Sequence, residues 1–158
     1  MNKLFIMCGC PGAGKSTYAK KNFPNAKYVS RDEIRFSIVK ENEPYFSKEK
    51  QVFKKFINEI NEGLQQDVDV VADATHLNFS SRYKLISNLT IDKEKTEVIA
   101  VVIQTPLDIC LAQNEYRKGT RSYVPSPVLQ DMYYLFHTPT KTEGNGMIDQ
   151  ILFVKGGQ

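Results

Sequence analysis

Along the chain, short uninterrupted apolar runs alternate with stretches in which apolar residues recur every third or fourth position. Leu4-Phe5-Ile6-Met7-Cys8 is the first run, and it ends in a glycine-rich segment, which predicts a buried strand. A helix is predicted from Ser16 to Lys21, stopped by Pro24, and Tyr28-Val29 reads as a short second strand. Ser30 and Glu33 have capping-box spacing and open a helix predicted from Arg31 to Val39. Val52, Phe53, Phe56, Ile57, Ile60 and Leu64 follow a helical period, giving an amphipathic helix of about five turns. Val68 to Ala72 is the next strand, ending at Asp73; Ser80 to Asn88 reads as a helix, and Val98 to Ile103 as a strand bounded by Thr105-Pro106. A helix is expected from Pro106, with the proline at the first helical position. Residues 117–125 are basic and hold a glycine and a proline, which predicts a mobile loop; a helix from Ser126 to Phe136 and a strand from Ile151 to Val154 follow. Strands alternating with helices predict an α/β fold, a parallel sheet sandwiched between helices with right-handed crossovers. No repeat, low-complexity tract or linker interrupts this order, so residues 1–158 are expected to form a single domain.

Composition narrows the classes without choosing among them. The chain has 158 residues and a mass of 18.0 kDa, a length that buries roughly 70% of the unfolded surface and needs neither disulfides nor a metal to fold. Hydrophobic residues make up 41% and charged residues 25%, near the globular average. Against 18 Asp and Glu stand 21 Lys and Arg, a net charge of +3 that permits a phosphate-bearing partner without requiring one. No apolar run approaches the about 18 residues of a membrane span, and the short apolar start runs directly into glycines and a lysine, unlike a signal peptide. Cys8, Cys10 and Cys110 fit neither a disulfide framework nor a four-ligand zinc pattern, so reduced thiols and a cytoplasmic location are expected. Cys8 and Cys10 read as small packing residues.

The chemistry begins at Gly9-Cys10-Pro11-Gly12-Ala13-Gly14-Lys15-Ser16, which matches G-x-x-x-x-G-K-[ST] at every fixed position and lies between a predicted strand and a predicted helix. Glycines let the backbone curl so that N–H groups converge on phosphate oxygens, and the helix N-terminus adds partial positive charge. Gly9, Gly12, Ala13, Gly14, Lys15, Ser16 and Thr17 are therefore the expected nucleotide-binding residues. Lys15 is expected to reach the β- and γ-phosphates and the Ser16 hydroxyl to ligate Mg²⁺, with ATP as the nucleotide. No N-K-x-D guanine-reading element occurs, and no four apolar residues are followed by Asp-Glu as in a motor ATPase, so a P-loop NTPase-type kinase remains.

A kinase needs an acceptor base, cations on the transferring group and a lid. Asp32 and Arg35 are three apart on one helix face, where a carboxylate can accept a hydroxyl proton and the arginine can hold an acceptor phosphate; a salt-bridged first turn is the plain alternative. Asp73 and Thr75, at the end of the third strand, either bind substrate or cap a turn, and His76 reads as an ordinary, partly exposed histidine. Arg117-Lys118-Gly119-Thr120-Arg121 forms the basic centre of a lid at about 114–125, from which Arg117 or Arg121 would stabilise transition-state charge; a solvated basic loop is the alternative.

These elements together (G-C-P-G-A-G-K-S-T at 9–17, R-D-x-x-R at 31–35, D-x-T-x at 73–76, R-x-G-T-R at 117–121 and then V-P) resemble the kinase domain of phage-type polynucleotide 5′-hydroxyl kinases over roughly residues 4 to 135. The resemblance implies ATP-dependent transfer to a 5′-OH end of DNA or RNA, with Asp32 as general base and Arg35 on the acceptor's 3′-phosphate. It further implies Asp73 and Thr75 in the acceptor site and the basic loop as lid. Gln113 stands where the family often has an arginine before the residue matched by Asn114, and either Arg117 or Lys118 matches the transition-state arginine. No D-x-D-x-T element occurs, so a kinase without phosphatase activity is expected, working beside a separate ligase or phosphatase. A P-loop kinase of a small metabolite or nucleoside, and a non-catalytic ATP-binding module, remain as alternatives, and the oligomeric state stays open.

Overall fold

A computed structural model describes residues 1–157. Its centre is a five-stranded, wholly parallel sheet ordered β2-β3-β1-β4-β5, built from β1 (Asn2–Cys8), β2 (Lys27–Ser30), β3 (Val70–Asp73), β4 (Thr96–Gln104) and β5 (Gln150–Lys155). The central strands are apolar at nearly every position because both faces are covered, which is why they read as continuous runs rather than alternating ones. Leu4, Ile6 and Cys8 of β1 face one core, with α2 (Arg31–Ile38), α3 (Glu49–Gln65) and α4 (Phe79–Asn88) above them. Phe5 and Met7 face the other, under α1 (Lys15–Asn22), α5 (Leu107–Glu115) and α6 (Ser126–Tyr134).

The register fixes the working edge. Met7 pairs with Asp73, and Asp73 with Ser30, so β1, β3 and β2 end side by side. The loops at 9–14 and 74–78 and the first turn of α2 at Arg31-Asp32, which follow these strands, open on one rim, at the switch point where α/β sheets bind ligands.

Several element ends differ from the sequence expectation. The strand placed at Val68 begins at Val70: α3 runs to Gln65, Asp67 takes a left-handed φ of 58°, and Val68 remains exposed in the turn. Pro106 is the N-cap of α5 rather than its first helical residue, with ψ at 148°. Ser30 caps α2 by accepting from the Glu33 N–H at 3.2 Å, but the reciprocal half of the box is not made; the Glu33 carboxylate lies 3.8 Å from Lys20 instead. The capping box that does close is at α4, between Asn78 and Ser81.

Candidate active site

The cradle begins as β1 ends. The Gly9 N–H donates to the Thr75 carbonyl at 3.0 Å, which ties the loop to the turn after β3. Gly14 holds φ at 94° as the N-cap of α1, a left-handed conformation that glycine takes without strain. Gly12, at φ 79°, lets the loop lie against α5, since a Cβ there would sit 2.6 Å from the Cys110 carbonyl oxygen. Thr105 braces the same loop by donating to the Ala13 carbonyl at 2.7 Å. The N–H groups of Gly14, Lys15, Ser16 and Thr17 donate to no group among the described residues, so the helix terminus offers four convergent donors to an anion. The Ser16 hydroxyl is likewise unpaired.

Lys15 reaches back across the loop and donates to the Cys10 carbonyl at 3.0 Å. Burial pulls its pKa below the ordinary lysine value, Asp73 and Asp32 oppose that shift, and Arg117 adds to it. Three of the sequence-predicted residues thus act electrostatically on the cradle lysine. Asp73 is buried, and its carboxylate accepts from the Tyr28 hydroxyl; burial raises its pKa against the pull of Lys15 and of that hydrogen bond. Thr75 contributes its carbonyl to the loop, while its side chain is half-buried and unbonded.

Asp32 and Arg35 meet as their spacing predicts, Arg35 Nη1 donating to Asp32 Oδ1 at 2.6 Å. Their partners could not be read from spacing. Glu49, at the start of α3, accepts from Arg35 Nε at 2.7 Å and from Arg31 Nη2 at 3.0 Å. The Tyr45 hydroxyl donates to Asp32 Oδ1 at 3.0 Å and accepts from Arg35 Nη1 at 2.9 Å. Burial works against the charges of Arg35 and Glu49, yet their bond prevails, holding the arginine's pKa up and the carboxylate's down. Arg35 is only 5% exposed, whereas the Asp32 side chain is 60% exposed and open to an acceptor.

The basic loop expected to serve as a lid is laced at its base. The buried Asn114 donates to the Val124 carbonyl at 2.5 Å and accepts from the Val124 N–H at 3.1 Å, closing residues 114–124 into a compact loop. Arg121 reaches the Phe36 carbonyl at 3.3 Å and the Val39 carbonyl, capping the C-terminus of α2. Lys118 lies 4.0 Å from Glu115. The Arg117 backbone is held in the loop, its N–H donating to the Asn114 carbonyl at 2.9 Å and its carbonyl accepting from Thr120, while its guanidinium makes no hydrogen bond or ion pair among the described residues. On the β4 side of the cradle, a cleft of about 460 Å³ is bordered by Cys10, Ala13, Thr105, Pro106, Tyr133 and Phe136.

His76 corrects the sequence expectation of a partly exposed side chain. It is 5% exposed, takes a φ of 45°, and sets Nδ1 2.7 Å from the Met7 carbonyl; burial depresses its pKa to about 4. Its own carbonyl accepts from the fully buried Arg82 at 2.8 Å, and Arg82 pairs with Glu143 at 2.6 Å. The three cysteines are free and buried, with Cys8 pushed up to about 12 and Cys10 to about 11 by desolvation. Among the described residues, no group of three or more His, Cys, Asp or Glu is arranged to hold a metal, and no helix is long and apolar enough to cross a membrane.

Parallel topology, a glycine-rich cradle between β1 and α1, an acid after β2 and a laced basic loop define a P-loop NTPase domain of the kinase type. A family model described as an AAA domain matches residues 4–139, and the chain belongs to that family. The L-seryl-tRNA(Sec) kinase of Methanococcus maripaludis is 28% identical over 144 residues, covering 86% of this chain and 53% of that protein. A chain of the Pnkp1/Rnl/Hen1 RNA repair complex superposes with a TM-score of 0.70 at 21% identity, over 85% of this chain and 43% of its own length. A sugar kinase from a Janibacter species superposes with a TM-score of 0.64 at 13% identity, over 98% and 85% of the two chains. At these identities the solved structures speak to the fold alone. This chain spans about half the length of the curated relative it matches.

Proposed function

We propose that the chain is an ATP-dependent polynucleotide 5′-hydroxyl kinase, moving the γ-phosphoryl group of ATP to the 5′-OH end of DNA or RNA. The observation that carries the reading is the exposed Asp32 carboxylate, held by Arg35 and Tyr45 on the same rim as Lys15 and within its electrostatic reach. A nucleotide-binding module has no need of an acid so placed, whereas a transferase needs one at its acceptor.

The cradle N–H groups of Gly14, Lys15, Ser16 and Thr17 bind the phosphates, and Lys15 leaves the Cys10 carbonyl to do so. The free Ser16 hydroxyl would hold Mg²⁺, which when bound would offset the charge of the phosphates. Asp32 orients the 5′-hydroxyl in line and accepts its proton late in a loose transition state. Arg35 holds the next acceptor phosphate, with Asp73 and Thr75 shaping the floor of the acceptor site. Arg117, whose guanidinium has no partner among the described residues and whose charge is felt at Lys15, is the lid cation available to the transferring group, and Arg121 docks the lid onto the acceptor helix. The cleft beside Thr105 and Pro106 takes the nucleoside. A separate ligase or phosphatase would process the same ends, in the cytoplasm.

One observation favours a second reading. Arg35 already shares its charge with Glu49 and Asp32, and a cluster so neutralised also suits an uncharged small acceptor. Transfer of labelled γ-phosphate should therefore be run on a short 5′-OH oligonucleotide, a 5′-phosphorylated blank, and a panel of nucleosides and sugars. Label on the oligonucleotide and not on the blank supports the kinase of ends; label on a sugar or nucleoside alone supports the second reading.

A further inference from the structure

We propose that Tyr45 and Phe46, in the turn between α2 and α3, form a stacking platform for a nucleobase within the first two nucleotides of a single-stranded acceptor. The inference rests on the polynucleotide reading and names how that acceptor is gripped. The turn reads E-N-E-P-Y-F-S-K over residues 41–48, polar on both sides, and two adjacent aromatics there have no core to fill. Phe46 is 69% exposed.

Tyr45 is fixed from two sides. Its hydroxyl bonds both Asp32 and Arg35, and the Arg35 guanidinium lies 4.4 Å from its ring centre. Phe46 meets Tyr45 edge-on, with centroids 4.7 Å apart and planes at 83°, and Arg35 lies 5.6 Å from the Phe46 ring centre. On the other flank Phe36 meets Tyr45 at 6.3 Å, and the lid's Arg121 lies 4.6 Å over Phe36. A row of rings flanked by cations, Arg121, Phe36, Tyr45, Arg35 and Phe46, thus runs from the lid to Asp32.

Alternating cations and flat rings are how sequence-tolerant single-strand sites are built, the guanidinium serving phosphate and the ring serving the base. Arg35 Nη2 makes no hydrogen bond among the described residues, so a donor remains for the phosphate beside the stacked base. Arg31 and Arg35 are balanced by Asp32 and Glu49, whereas Arg121 has no carboxylate partner among the described residues and leaves the row net positive. A bare sugar hydroxyl would use neither that charge nor a base-sized ring.

The test compares a 5′-OH oligonucleotide with one whose first two nucleotides are abasic, using the wild type, Phe46→Ala and Phe46→Trp. Loss of the stack is expected to raise the acceptor KM about 5- to 150-fold, the range of one base-on-aromatic contact, in Phe46→Ala on the intact acceptor and in the wild type on the abasic one. Phe46→Ala should leave kcat, ATP affinity and the already high abasic KM unchanged, and Phe46→Trp should restore the intact acceptor. Equal KM for both acceptors in the wild type overturns the platform and leaves the kinase reading standing. The wild-type comparison needs no variant, so a folding defect cannot obscure it. Failure of the wild type to label any oligonucleotide while binding ATP overturns both.

Discussion

At the scale of single residues, the site is made of groups whose ionisation is set by what encloses them. His76 illustrates the sign of such effects. Its folded pKa, about 4, lies below the unfolded value, chiefly through burial and further through Arg31, Lys15 and Arg82, while its bond to the Met7 carbonyl works the other way. The neutral ring is therefore tolerated above about pH 6.5, and stability falls as pH drops from there through the folded pKa. The loss attributable to this residue is about 3 kcal/mol in all. Urea unfolding between about pH 7 and pH 4 checks this, and His76→Gln should flatten that part of the profile. The buried position was hidden in the sequence, because a histidine after a strand gives no sign that a left-handed φ will turn it under the sheet. Asp32 and Arg35 were legible, since helical spacing alone brings them together. Glu49 was not, because its approach depends on how α3 packs against α2.

At the scale of elements, strands were the easiest part to read and turns the hardest. Continuous apolar runs survive as β1 and β4 because parallel strands are buried on both faces. The boundaries at Val68 and Pro106 slipped because a left-handed turn residue and an N-cap proline leave no periodic trace. Two predictions belong here. Gly12→Ala places a Cβ against the Cys110 carbonyl at a φ that costs a non-glycine residue about 1–2 kcal/mol before the clash is counted. Nucleotide affinity measured by calorimetry should fall at least about tenfold, since 1.4 kcal/mol is a decade. Arg82→Met leaves the Glu143 carboxylate, only 8% exposed, without its cation, and should cost about 3–5 kcal/mol in urea unfolding. Adding Glu143→Leu should recover much of that loss, and equal stability of the single and double variants would contradict the role given to the pair. Because Arg82 also holds the His76 carbonyl, this pair anchors the turn that follows Asp73 and carries Thr75.

At the scale of the whole molecule, a net charge of +3 limits how long a nucleic acid track the surface can offer. An acceptor gripped at one or two phosphates should weaken with salt at a slope of about −0.7 to −1.4 in log K against log salt, as for single strands. Acceptor KM measured across a potassium chloride series checks this. A slope several times steeper would mean an extended track, and no slope at all would favour an uncharged acceptor. The parallel α/β architecture was legible in the order of strands and helices. The lacing of the basic loop through Asn114 and the docking of Arg121 on α2 were not, because one is set by loop closure and the other joins segments far apart in the chain. They give the basic loop two fixed points, and the Arg117 guanidinium pairs with nothing among the described residues.

The most direct measurement is γ-phosphate transfer from labelled ATP to a 5′-OH oligonucleotide under single-turnover conditions, with wild type and Asp32→Asn side by side and ATP binding measured for both. The proposed function predicts label at the 5′ end with the wild type, and a loss of at least about a hundredfold in Asp32→Asn with ATP affinity retained, as for removal of a positioned acid–base group. Equal rates in the two proteins, or no label from a wild type that binds ATP, would contradict it.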